Sequence, residues 1–176
     1  VQFGVTLDRL SFIQAREAET ERSRVLKDVN LQIIQAETVA EVVAQLPLGP
    51  VRQALQADRV MVYQFDPNGE GTVTVESVTA DWSRPPGAQI HDLSFAADEI
   101  EKFKQGRIQA IAKISEVGLS DARLKQLETF AVKASLVVPI RRETQLFGLL
   151  IAHQSDQPRI WEAIEIDFFS QVDRKS

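Results

Sequence analysis

Between Val5 and Leu46 the chain carries no glycine and no proline, and beyond Asp58 it changes to short β-branched and apolar runs separated by turn residues. The first property suits one uninterrupted helix, because glycine and proline are the strongest helix breakers. The second suits strands. A chain that makes both is confined to folds in which helices and a sheet share a core.

From Asp8 to Asp28 the text is rich in charge and in good helix formers, as in the run from Gln14 to Arg22, which predicts a long exposed helix. Val25, Leu26, Val29, Ile33 and Ile34 follow at spacings of three and four, so the second half of that helix has an apolar stripe to pack. Residues 1–36 are expected to form a helical linker and residues 37–176 a domain. A second helical piece, Thr38 to Leu46, should stop at Pro47-Leu48-Gly49-Pro50, with a short resumption from Val51 to Gln56.

Arg59 to Phe65 and Thr72 to Glu76 read as an antiparallel strand pair joined by the turn residues Asp66 to Gly71. Ala96 to Gln105 and Arg107 to Ile114 read as short helices, and Ser120 or Asp121 can cap another that runs to Phe130. Ala134 to Ile140 and Leu146 to His153 make a second strand pair. Ile160, Ile164, Phe168 and Val172, with Trp161 alongside, are expected to be the buried face of a closing helix. The predicted class is α+β, an antiparallel sheet with flanking helices.

Composition narrows the function. Hydrophobic residues at 44% and charged residues at 26% over 176 positions fit one folded domain with an extension. A net charge of -5 gives no electrostatic reason to expect nucleic acid or an acidic lipid surface. The absence of cysteine removes disulfides, thiolate nucleophiles and thioether links to a cofactor. The histidines, His91 and His153, are too far apart for a compact metal-ligand motif. No apolar run approaches the roughly 18 residues of a membrane span, and a cytoplasmic location is expected. No nucleophile elbow, phosphate-binding loop or zinc motif is present, so the chain is expected not to be an enzyme.

The blocks Asp58 to Phe65, Ile90 to Phe95, Gln105 to Ile111, Phe130 to Ile140 and Gly148 to Gln154 resemble, in the family's own order, the GAF domains of the cyanobacteriochromes, the bilin photoreceptors related to phytochromes, especially those within methyl-accepting chemotaxis receptors. The resemblance covers approximately Glu37 to the end. The preceding helix resembles the connectors between successive GAF domains, which implies a longer chain with neighbouring GAF and signalling domains, as in the cytoplasmic portion of a membrane-anchored receptor.

In that family a cysteine and a histidine side by side anchor and flank the bilin, and the resemblance puts Ala122 and Arg123 at those positions. A second cysteine that some members carry falls on Ser94. Neither an alanine methyl nor an unactivated serine hydroxyl can add to the bilin double bond, so covalent chromophore is excluded. Asp92 matches the carboxylate that faces the pyrrole nitrogens, His153 matches the histidine facing the far ring, and Trp82 lies near the family's pocket aromatics. Arg123, larger than histidine and always charged, could block the old pocket or meet an anion.

Each has a structural alternative: Asp92 as a helix cap, His153 as a hydrogen-bonded core histidine, Trp82 as a packing group. The leading expectation is a non-photoactive GAF domain that relays signals between helices as a homodimer, through its N- and C-terminal helices. The alternative is a sensor holding a non-covalent bilin, a cyclic nucleotide or another small molecule.

Overall fold

The computed structural model describes residues 2–35, 46–65, 71–82, 95–129, 131–142 and 145–174. Helix α1 (Gln2–Gln35) is a single element of 34 residues, about 50 Å long at 1.5 Å per residue. Its residues 11–17 are exposed, Phe12 and Ile13 among them. Burial begins where the stripe begins, at Val25, which is wholly covered. The helical piece expected from Thr38 to Leu46 falls almost wholly outside the described residues.

Helix α2 (Leu48–Leu55) starts inside the Pro-Leu-Gly-Pro stretch that reads as a stop. Pro50 is in the first turn, where an amide hydrogen has no intrahelical acceptor to lose, so the proline is compatible with a helix start. The helix closes on Gln56, whose φ of 57° is left-handed and whose amide hydrogen returns to the last turn.

Strands β1 (Arg59–Phe65), β2 (Gly71–Val78), β3 (Gln109–Ile111), β4 (Ala134–Arg142) and β5 (Gln145–Gln154) form one sheet of order β2-β1-β5-β4-β3. All pairings are antiparallel. The tight β1–β5 approach requires Gly148, where any Cβ would collide with the Tyr63 carbonyl oxygen. On one face of the sheet lie α3 (Ala97–Lys104) and α4 (Asp121–Thr129), and α5 (Ala163–Arg174) ends the fold.

Two expectations are corrected. Arg107 to Ile114 is not a helix: Gln109–Ile111 pairs with Val137, Leu136 and Ser135 as the edge strand β3, a long-range pairing invisible to a local pattern. Ile160 and Ile164 are not buried; they are 81% and 51% exposed. Helix α5 starts only at Ala163, so Ile160 precedes it, and the face that packs carries Phe168, Phe169 and Val172 instead. Trp161 is buried as expected.

Strand alternation divides the interior. Even-numbered residues, Val60, Val62, Leu136, Val138, Leu150 and Ala152, face a core closed by Val51 and Leu55 of α2, Phe168 and Phe169 of α5, and Val25 of α1. Odd-numbered residues, Met61, Tyr63, Val137, Leu149 and Ile151, face a second core capped by Phe103 of α3, Leu127 of α4 and Ile114. His153 shares the second face by the same alternation.

Candidate functional site

The second face is apolar at its centre and polar at one end. On β1 the register sets Arg59 opposite His153, and on β4 it sets Ser135 opposite His153. His153 is therefore flanked on both sides by polar groups within the sheet. Arg59 and His153 are 2% and 1% exposed. An arginine this deep needs compensation, and it has two partners from the neighbouring hairpin: Nε lies 3.1 Å from Glu76 Oε1, and Nη2 donates to the Trp82 carbonyl oxygen at 2.9 Å. Trp82 closes a short 3₁₀ turn, Ala80–Trp82, and is half-buried.

The strand end carrying His153 is held by Asp58. Its amide donates to the His153 carbonyl oxygen at 3.1 Å, and its carboxylate accepts from the amides of Ser155 at 2.8 Å and Asp156 at 3.2 Å. The adjacent Asp58-Arg59 pair thus performs two tasks: the carboxylate fixes the turn after β5, and the guanidinium fills the space beside its last ring.

Burial, reinforced by the positive charge of Arg59, pushes the His153 pKa down to about 3. The ring is neutral at physiological pH, with one nitrogen donating and the other accepting. Its Nδ1 has no hydrogen-bond partner among the described residues, and neither do the buried Oε1 of Gln109, Oγ of Ser155 and Oγ1 of Thr79. Gln109 pairs with Val137 and so shares the face of His153. A site with this make-up can offer hydrogen bonds to a polar guest. A histidine that protonates only near pH 3 is a poor general base or acid at neutrality.

Of the residues singled out from sequence, the structure brings His153 and the main chain of Trp82 to opposite sides of Arg59. Ala122 and Arg123 lie in the first turn of α4, the helix whose Leu127 caps the same face. Asp92 and Ser94 lie outside the described residues. Arg59 is the participant that sequence reasoning passed over. Its signal was available: an arginine opening a run in which Val60, Met61 and Val62 are all apolar will be carried into the core. Among the described residues no group of three or more acidic or histidine side chains could hold a metal ion, and no helix is long and apolar enough to cross a membrane.

The sequence model of the GAF domain family matches residues 38–172. A Synechocystis sp. protein assigned as a methyl-accepting chemotaxis protein is 45% identical over 174 residues, 97% of this chain; the chain spans 17% of that relative's length. The blue-light-absorbing form of the Thermosynechococcus elongatus PixJ GAF domain superposes with a TM-score of 0.64 at 39% identity, covering 89% of this chain and 82% of that one. The red-light-absorbing state of NpR6012g4, a red/green cyanobacteriochrome, gives a TM-score of 0.67 at 31% identity, covering 78% and 91%. The chain belongs to the GAF domain family, and its structural neighbours are cyanobacteriochrome GAF domains.

Proposed function

We propose that this domain is a non-photoactive member of a cyanobacterial sensory receptor, serving as a signal-relay and dimerisation module between the linker helix of residues 1–36 and the helix that follows its sheet. The observation that carries this reading is the absence of cysteine from a chain similar to the blue-light-absorbing PixJ GAF domain and resembling a family in which a cysteine anchors the bilin. Attachment needs a sulfur nucleophile, and Ala122 and Ser94, which stand where the resemblance expects one, supply none. The neutral, deeply buried His153 also speaks against acid–base catalysis. Co-production with bilin-synthesising enzymes tests the reading. The expected protein band on a denaturing gel has no zinc-enhanced fluorescence, and a fluorescent band overturns the proposal.

One observation favours a second reading, a sensor for a non-covalent small molecule. The unpartnered Nδ1 of His153 and Oε1 of Gln109 lie on the pocket face, and buried polar atoms ordinarily have partners. A bilin held by Asp92, His153, Trp82 and Arg123 without attachment would supply them, as would a cyclic nucleotide. Saturable binding, followed by titration calorimetry with biliverdin and cyclic nucleotides, separates this reading from the first. The double variant Ala122→Cys with Arg123→His then asks whether the cavity survives. Covalent pigmentation is the expected result for a vestigial pocket, and a folded colourless variant indicates a collapsed one.

A further inference from the structure

Arg159 precedes the last helix in a stretch that no motif singles out, yet its side chain bonds to four residues. Nη1 donates to the Gln56 carbonyl oxygen and to Gln154 Oε1, each at 3.0 Å; Nη2 donates to the Leu55 carbonyl oxygen at 2.6 Å and pairs with Glu165 Oε2. The guanidinium carbon lies 4.4 Å from the centroid of the Trp161 ring, a cation–π distance. The main chain joins in. Arg159 N donates to Ala112 O at 3.0 Å, and Trp161 Nε1 donates to Ile111 O at 3.2 Å.

These contacts reach three places in different elements. Leu55 and Gln56 are the C-terminal end of α2, where the helix dipole favours a cation. Gln154 is the last residue of β5 and the neighbour of His153. Glu165 is in the first turn of α5 and divides its carboxylate: Oε1 accepts from Glu162 N at 3.0 Å, as in a capping box, while Oε2 faces Arg159. The chain between β5 and α5 is thereby fastened to α2 on one face of the sheet and to the edge strand β3. The planar fork of arginine is needed for this, since a lysine ammonium is a point charge that cannot span two carbonyls and a carboxylate while stacking on a ring.

We infer that Arg159 is the node coupling the pocket-side end of β5 to the start of the C-terminal helix, so that displacement at His153 reaches α5 through Gln154, Arg159 and Glu165. This inference rests on the relay reading and gives it a route. Arg159 is a positioning residue, acting on α5 through Glu165.

The test measures amide hydrogen exchange by NMR on the full chain, with His153→Gln as the perturbation, in the native and Arg159→Lys backgrounds. In the native background His153→Gln should change exchange both at Lys133, whose amide donates to Gln154 O, and at Ile166, whose amide donates to Glu162 O in the first turn of α5. In the Arg159→Lys background the Lys133 response should persist and the Ile166 response should fall by about tenfold, the scale expected from losing a charge-assisted bond. Glu165→Gln, which keeps the guanidinium on its carbonyls, is the milder second variant with the same expected direction. An Ile166 response equal in both backgrounds overturns the role of Arg159 and leaves the relay standing by another path. No response at Ile166 in the native background overturns both.

Discussion

The two faces of the sheet are made by the same strands and differ in kind. The even-numbered face meets α1, α2 and α5 through a mainly aliphatic and aromatic core, with Arg52 of α2 donating to Ser77 at its edge. The odd-numbered face meets α3 and α4 through an apolar centre, but its end holds Arg59, His153 and Ser135, all buried, with Nδ1 of His153 unpartnered among the described residues. Burying polar atoms without full compensation lowers stability, so the odd-numbered face is the one where stability has been given up. The even-numbered face is the one covered by the two terminal helices, α1 and α5.

This contrast can be broken by mutation. The largest effect is expected on the closed face: Phe169→Ala should destabilise by about 4 kcal/mol, because it removes a fully buried ring from a core that cannot relax into the gap. A loss below about 1 kcal/mol in urea unfolding would mean that this face is loosely packed. Arg59→Met should cost about 3 kcal/mol by leaving the Glu76 carboxylate without its partner at 3.1 Å. A neutral or stabilising result in the same assay would show that the odd-numbered face tolerates an apolar replacement and needs its charge for something other than folding.

The third effect is a pH dependence confined to the pocket face. Folding lowers the His153 pKa from 6.5 to about 3, so the unfolded chain binds a proton that the folded one excludes. Stability from this residue is whole above pH 6.5 and declines as pH falls toward 3. Between pH 7 and pH 5 the loss is about 2 kcal/mol, from 1.4 kcal/mol per pH unit below the unfolded pKa. His153→Gln should flatten that stretch of the profile, measured by urea midpoints across the range. An unchanged slope would place the titrating group elsewhere.

The smallest effect belongs to the outer helix. Phe12 and Ile13 are 67% and 50% exposed, so Phe12→Ser with Ile13→Ser should alter folding stability by less than about 0.5 kcal/mol. If α1 mediates the proposed dimer, the same pair should lower the mass measured by light scattering. An unchanged dimeric mass would move the interface away from this part of α1.

Where local pattern and tertiary packing agree, the residues were readable in advance. β1, β4 and β5 alternate two covered faces with β-branched and aliphatic residues, and α1 follows from a run free of glycine and proline. Where packing overrides pattern, they were not. Gln109–Ile111 has no strand periodicity of its own and becomes one by pairing with β4. Ile160 and Ile164 have helical spacing with Phe168, yet the helix starts only at Ala163, which leaves Ile160 before it in solvent, and Ile164 in its first turn is half exposed. In the candidate site His153 was legible through the family resemblance. Arg59, though written inside the same motif, gains its meaning only from the register that sets it beside that ring.

The amino-acid sequence by itself determined that the chain offers no cysteine thiol for a thioether link, because the presence of a sulfur nucleophile is a matter of composition and no fold can supply it. It also determined the strand faces of the hairpins, because side chains alternate with period two whatever the context. Only the tertiary structure decided that His153 is neutral and that Arg159 joins three elements. Both depend on groups distant in the chain, Arg59 across a strand pair and Leu55 across 104 positions. Desolvation and charge act through space, so they are set by what folding brings near and not by what stands next in sequence.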